Sequence, residues 1–371
     1  MTFSEELLKW YEHNRRILPW REDPSPYHVW LSEIMLQQTR VEAVREYYLR
    51  FIEELPDIRA LAEAPEDICL KLWEGLGYYS RVRNLHKAAS VIIEEYDGEM
   101  PGTSAGLMRL PGIGPYTAAA IASIAFGEAA PAVDGNLLRV FARLTRYEEN
   151  VRTPAALKSA VQFYKERMPD GSSAGAGTGM GDPGGPRRQN SAYRPGNPCG
   201  DFNQALMDLG ATVCLPNSAP ECGCCPLAAY CRIHSESPGE ESSLPVMPDR
   251  RIKRTEHLTV FVIKSGSRIA VRKRPPRGLL AGLYEFPNAE GELDADEALK
   301  WLREHSVQPL RIRRTEDAEH IFTHKIWKMR GYEVDADPFT EEQIPFIMAS
   351  GGEILDKYSI PSAFGAYLKM I

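Results

Sequence analysis

Apolar residues recur at intervals of three and four through the first two hundred positions, the period of helices with one buried face. In MTFSEELLKWYEHNRR, Leu7, Trp10, Tyr11 and Ile17 mark such a face, and Thr2 with Glu5 has the spacing of a capping box. The segments YHVWLSEIMLQQT, VEAVREYYLRFIEEL, EDICLKLWEGLG and SRVRNLHKAASVIIEEY repeat the pattern, punctuated at Pro56, Pro65, Gly77, Gly98 and Pro101. Strand alternation is absent before residue 255. Beyond it the pattern changes. LTVFVIKSG, RIAVRKRP, LYEFP, LRIRRT and KIWKMRGYEV read as strands, with a helix at DADEALKWLREHS and another near the C-terminus. The expected architecture is an all-α domain over residues 1–234, then a small α+β domain over 255–371.

Two stretches break these patterns. Residues 169–200 are dominated by Gly, Pro and Ser and hold nothing that could fill a core. Helical periodicity resumes at DFNQALMDLGATVC, so the stretch reads as a flexible insertion within the helical domain. Residues 235–254, SESPGEESSLPVMPDRRIKR, are polar and then basic and read as a linker.

Composition narrows the class. Of 371 residues, 43% are hydrophobic and 26% charged, which is ordinary for a globular protein. With no apolar run long enough to span a bilayer and no signal-peptide core, a cytoplasmic protein without membrane contact is expected. The net charge of −7 argues against a binder that relies on bulk positive charge. It leaves room for a DNA enzyme with a local basic surface, for which Arg81, Arg83, Lys87, Arg139 and Arg143 are candidates. Seven cysteines, five of them between 214 and 231, point to a metal site rather than to disulfides.

The stretch LPGIGPYTAAAIASIAFGEAAPAVDGN, residues 110–136, concentrates the remaining chemistry. Gly112 and Gly114 allow a tight turn whose amides face outward at the start of a helix, a site that suits a phosphate. The plain alternative is an ordinary helix–helix turn. Small residues from Ala118 to Ala122 let the second helix pack closely, as a hairpin that grips a nucleic-acid backbone would need. Asp134 precedes LLRVFARL and would serve as a helix N-cap with no further role. Glu33 lies among Trp30, Leu31, Ile34, Met35 and Leu36. It is either a solvated acid or a carboxyl whose proton affinity burial has raised. Two carboxyls in different environments are what glycosidic cleavage needs, one to protonate the leaving group and one to stabilise a sugar cation.

The cysteines Cys214, Cys222, Cys225 and Cys231, on one short loop, can hold zinc or a [4Fe–4S] cluster. Zinc ribbons usually pair two CxxC knuckles, and only one credible pair is present here, which favours iron–sulfur. Cys224 is an alternative ligand. Cys69 reads as a core thiol, and Cys199, inside the insertion, as a residue without a role.

In order along the chain, LPWRED, VWLSEIMLQQT, GLGYYSRVRNLHKAA, LPGIGPYTAAAI, VDGN, DFNQALMDLGATVC and the cysteine loop ending CPLAAYC resemble one known group. They are similar to the helix–hairpin–helix DNA glycosylases that carry an iron–sulfur cluster, and among these to the adenine-specific mismatch glycosylases, the MutY family. The resemblance covers nearly all of the chain outside 169–200. It implies an all-α helix–hairpin–helix glycosylase domain with a [4Fe–4S] loop at 214–231. It also implies a C-terminal Nudix-like domain that senses 8-oxoguanine.

Position by position, the resemblance makes Glu33 the acid that protonates adenine and Asp134 the stabiliser of the sugar cation, supported by Tyr116 and Asn136. Arg21, Leu36 and Gln204 fall where the flipped adenine is held, and Gln38 and Tyr78 where residues wedge into the duplex. Thr323 and His324, in HIFTHKIW, fall where the family contacts the lesion, although Ser is common at the first position. Endonuclease III, of the same superfamily, has a nucleophilic lysine where this chain has Tyr116. The implied reaction is therefore base excision without strand cleavage. DADEALKWLREHS lacks the REUxEE pattern of a hydrolytic Nudix helix, and the first gap of the cysteine loop is one residue longer than the family pattern.

The expected partner is double-stranded DNA with adenine opposite 8-oxoguanine or guanine, bound by a monomer. The rivals are a thymine-mismatch glycosylase of the same fold, a lesion binder without catalysis, and an electron-transfer protein. The last would leave the hairpin without a purpose.

Overall fold

The computed structural model describes residues 1–170, 196–216, 218–248, 252–315, 317–338 and 344–371. Most of the stretch expected to be an insertion, residues 171–195, lies outside them. Two compact units result, Met1–Glu63 with Asn84–Asp249, and Ala64–Arg83 with Arg250–Ile371.

The helices are α1 (Phe3–Asn14), α2 (Pro26–Leu36), α3 (Val41–Glu54), α4 (Ile58–Glu63), α5 (Glu66–Leu72) and α6 (Ser80–Glu95). They continue with α7 (Ser104–Leu107), α8 (Pro115–Phe126), α9 (Gly135–Thr145), α10 (Pro154–Lys165), α11 (Pro198–Thr212) and α12 (Arg232–Glu236). The capping box of Thr2 and Glu5 is present at the start of α1. That helix buries Leu7 and Tyr11 but stops at Asn14, which leaves Ile17 beyond it and 76% exposed, contrary to the expected face. The core of the first unit joins α1 to α9, α10 and α11 through Phe3, Leu7, Leu137, Phe141, Tyr164 and Phe202.

Two boundaries differ from expectation. The chain capped by Asn197 is helical from Pro198, so residues 198–200 belong to α11 and not to the insertion. Cys199, expected to have no role, is buried in the core beside Phe202. The segment from 235, expected to be a linker, folds back onto the helices. Leu244 packs with Ala142, Val151 and Ile233, and Val246 pairs with Asn150. No helix among the described residues is long and apolar enough to cross a membrane.

The second unit is built on an eight-stranded sheet: β1 (Arg254–Ser265), β2 (Arg268–Lys273), β3 (Tyr284–Glu285), β4 (Asn288–Glu290), β5 (Pro309–Arg314), β6 (Ala318–Ile321), β7 (Lys325–Ala336) and β8 (Ile347–Ser350). The main order is β3-β2-β1-β7-β5, with β1 and β7 parallel over eleven residue pairs from Arg254 and Lys325 to Lys264 and Asp335. In β1 the run VFVI is buried on both sides, which explains why it lacks polar alternation. Val260 and Val262 pack with α14 (Gly351–Lys357) and α15 (Gly365–Leu368) through Ile354 and Tyr367. Phe261 and Ile263 pack with Ala298 and Leu302 of α13 (Ala295–Glu304). Strands β4, β6 and β8 were not evident from the sequence. They are short and are formed by pairing with β1, β7 and β2.

Candidate active site

Helix α2 starts at Pro26 behind the Ser25 cap, and its continuous apolar run buries Glu33 to 6% exposure. Tyr116, on the first turn of α8, donates its hydroxyl proton to Oε2 of Glu33 at 2.8 Å. Burial pushes the Glu33 carboxyl up to about 7, and the nearby Asp134 charge adds to the rise. The Tyr116 hydrogen bond and Arg21 oppose it. Tyr116 itself is held well above its ordinary value, chiefly by burial. Glu33 is therefore poised to carry a proton near neutral pH.

Asp134 is the N-cap of α9, accepting from the Leu137 amide at 2.8 Å, so the plain structural reading is correct. It does not exhaust the residue. Asn136 donates to its other oxygen at 2.9 Å, and Arg139 donates to the side-chain Oδ1 of Asn136 at 3.0 Å. Burial raises the Asp134 carboxyl, while the Leu137 and Asn136 donors and the Arg139 charge favour its ionised form. Arg139 is anchored in turn on the carbonyls of Gly210 and Cys214.

Arg21, Glu33, Leu36 and Gln204 line a single pocket with Trp20, Val29 and Met207. Asp208, absent from the sequence reading, fixes this wall. Its fully buried carboxylate accepts two bonds from the Arg21 guanidinium, at 2.8 and 2.9 Å, and two from Arg16, from its Nε at 2.7 Å and its backbone amide at 3.0 Å. Asp208 lies one turn beyond Gln204 on α11, so both residues face the same direction. The Arg21 pair holds its carboxyl below the usual range against the pull of burial.

The hairpin joins α7 to α8. Gly112 has φ +77°, and a Cβ there would lie 2.5 Å from Cβ of Asn84, so both conformation and space require glycine. Gly114, the N-cap of α8, has φ −90° and open space where a side chain would stand. Its glycine keeps the approach to the helix N-terminus clear, and the first-turn amides of α8 lack helical partners there. Gln38, just past α2, is exposed with φ +58°.

Cys214, Cys222, Cys225 and Cys231 line one small cavity with Leu209, Val213 and Leu227. Cys224 is exposed and turned away, its thiol directed at the Glu221 carbonyl. Burial pushes the Cys222 thiol up to about 11 and Cys225 up to about 12; the Glu241 carboxylate adds to the rise at Cys222, and the neighbouring cysteines add to both. His234 and Glu241 line the same cavity and, with Cys222, bring three possible ligand atoms within 4.8 Å of one another, so the four cysteines and these two residues form a candidate metal site. Arg143 donates to Cys214 Sγ at 3.2 Å and to the Leu215 and Leu244 carbonyls. Arg139 and Arg143, candidates for a basic surface, are thus buried beside the cysteine loop. Arg81 is buried too, while Lys87 remains exposed.

Residues 31–165 match the HhH-GPD superfamily of base excision DNA repair proteins, and residues 259–370 match the NUDIX domain. The adenine DNA glycosylase of Buchnera aphidicola subsp. Baizongia pistaciae is 31% identical over 325 residues, 87% of this chain and 83% of its own. That of Arabidopsis thaliana is 38% identical over 332 residues, 79% of this chain. The chain belongs to the adenine DNA glycosylase family. It spans about half the length of the Arabidopsis relative, 48%. A solved thermostable thymine-DNA glycosylase is similar with a TM-score of 0.51 and 26% identity, over 63% of this chain and 95% of its own.

In this adenine DNA glycosylase family member, Tyr78, Thr323 and His324 lie in the second unit. Tyr78 and Thr323 share a hydrogen bond of 2.8 Å between their hydroxyls, and His324 is exposed. Tyr78 is 46% exposed and has φ +49°, a conformation that costs a non-glycine residue roughly 1–2 kcal/mol. That exposure excludes a place for the Tyr78 ring in the core.

Proposed function

We propose that the protein removes adenine paired with 8-oxoguanine or guanine from duplex DNA, by hydrolysis that leaves the strand intact. The observation that carries this reading is Glu33, a buried carboxyl raised to about 7, bonded to Tyr116 and close enough to Asp134 to feel its charge. With Oε2 occupied by Tyr116, Oε1 of Glu33 delivers the proton to the departing adenine. Asp134 stabilises the cation left on the sugar, oriented by Asn136 and Leu137. Arg21, Leu36 and Gln204 hold the extruded base, and Gln38 and Tyr78 fill the duplex. The hairpin at Gly112 and Gly114 holds backbone phosphate, and Thr323 with His324 reads the lesion. Position 116 carries tyrosine, so no amine forms a Schiff base with the sugar.

Cys214, Cys222, Cys225 and Cys231 hold a [4Fe–4S] cluster, which would brace the loop that supports Arg139 and Arg143. The protein acts as a monomer in the cytoplasm.

The test is a single-turnover assay on duplexes with adenine opposite 8-oxoguanine, beside thymine opposite guanine, for wild type and Asp134→Asn. Adenine release that needs alkali for strand scission and is lost in the variant is the expected result. Thymine release would favour the relation to the thymine-DNA glycosylase. Tight binding without release would leave a lesion reader.

A further inference from the structure

Arg81 is a charged residue on the first turn of α6, yet only 8% exposed. Its guanidinium donates to the carbonyls of Leu76 and Gly77 at 3.3 and 3.0 Å, the two residues before Tyr78. It also lies 5.4 Å from the centroid of the Trp73 ring and 5.4 Å from that of Tyr78. Its amide donates to the Tyr78 carbonyl at 2.9 Å. The rest of the turn is tied down as well. The Trp73 indole donates to the Gly77 carbonyl, and the Gly75 amide donates to the Tyr79 hydroxyl. Gly75 and Gly77 have φ +96° and +76°, left-handed conformations that glycine adopts readily.

We propose that Arg81 is the positioning residue for Tyr78, clamping the turn before it and stacking beneath its ring. The phenol then projects in the conformation that enters DNA. This rests on the reading of Tyr78 as a wedge. A planar guanidinium suits the task because Nη2 donates in the plane to both carbonyls while the faces are offered to two rings. A lysine keeps the charge and loses the planar faces. An exposed ring with a left-handed backbone would otherwise sample several rotamers before each insertion, which slows the exchange of stacked base for inserted ring.

The experiment follows 2-aminopurine fluorescence in stopped flow, in a duplex with the reporter beside 8-oxoguanine and a non-hydrolysable adenosine analogue opposite the lesion. Full-length wild type, Arg81→Lys, Arg81→Leu and Tyr78→Ala are compared, with melting curves and adenine release at saturating enzyme measured alongside. Arg81→Leu is expected to slow the fluorescence rise by about tenfold, in the range of one lost base–aromatic stack, with Arg81→Lys in between and melting close to wild type. A purely structural arginine would shift melting and leave the rise unchanged. Wild-type opening by both Arg81 variants, with slow opening by Tyr78→Ala, would overturn the proposal. Wild-type opening by Tyr78→Ala would remove the wedge itself and the proposal with it. Should Arg81→Leu fail to fold, the rate of Arg81→Lys decides alone: intermediate supports the clamp, wild-type refutes it.

Discussion

Tyr116 and Glu33, 83 positions apart, share a 2.8 Å hydrogen bond that links the first turn of α8 to the apolar face of α2. The phenol stabilises the carboxylate form, so it moderates the rise that burial imposes. If protonated Glu33 is the acid, adenine release falls as pH rises through about 7. In Tyr116→Phe the falling limb moves to higher pH, because the group favouring the charged form is gone, while the maximal rate drops with the lost orientation. Single-turnover rates across this pH range check both effects. An unmoved limb would show that Glu33 is not the titrating acid.

The same carboxyl is a liability for folding. Its value is about 7 when folded, against an ordinary 4.5, so the unfolded chain gives up this proton more readily. Stability therefore decreases as pH climbs from 4.5 to 7 and is lower by a constant amount above that. Glu33→Gln should be inactive yet more stable than wild type at alkaline pH, by at most roughly 3 kcal/mol, with the gap closing toward pH 4.5. Denaturant titrations of both proteins at two pH values measure it.

Asp208 neutralises Arg21 in the pocket beside Glu33, and Arg21 lowers the Glu33 carboxyl. Asp208→Asn leaves the Arg21 charge uncompensated, which moves the falling limb of the pH profile downward, opposite to Tyr116→Phe. Removal of one member of a buried pair also destabilises by about 3 kcal/mol. The opposite signs at two residues on different helices separate an electrostatic effect from general damage to the pocket.

The sequence made the Asp134 cap, the turn at Gly112 and Gly114 and the cysteine loop legible because local context carries them, whereas Tyr116 was reached only through the family resemblance. Asp208 was not legible. An acid inside DFNQALMDLGATVC has the position of an ordinary helical Asp, and its arginines lie 187 and 192 residues away. Arg139 and Arg143 looked like surface cations for the same reason. Their burial depends on how the cysteine loop and the chain around Leu244 return to α9. The short strands β4, β6 and β8 gave no periodicity to detect, since their edges exist only once longer strands are in place.

Among the five cysteines of the loop, four face one cavity and Cys224 faces outward. Cys224→Ser should retain full iron content and the visible absorption of the cluster. Cys222→Ser should lose iron and melt at lower temperature, because metal binding and folding are coupled. Iron analysis and absorbance on protein purified without oxygen distinguish the two. Equal losses in both variants would place Cys224 in the ligand set.

Gly112 and Gly114 stand two residues apart and should fail differently. Gly112→Ala meets both a left-handed backbone and Asn84 at 2.5 Å, so it should destabilise the helical unit by about 1–3 kcal/mol. Gly114→Ala has an accessible φ of −90° and no contact to lose, so stability should stay within about 0.5 kcal/mol of wild type. Its new methyl group nevertheless enters the space in front of the α8 amides, where a phosphate would sit. Affinity should therefore fall by a similar factor for damaged and undamaged duplexes, since a phosphate contact positions DNA without reading its sequence. Melting curves and binding isotherms on both duplexes separate the cases. Wild-type DNA affinity in a stable Gly114→Ala protein would show that the hairpin is only a turn between helices.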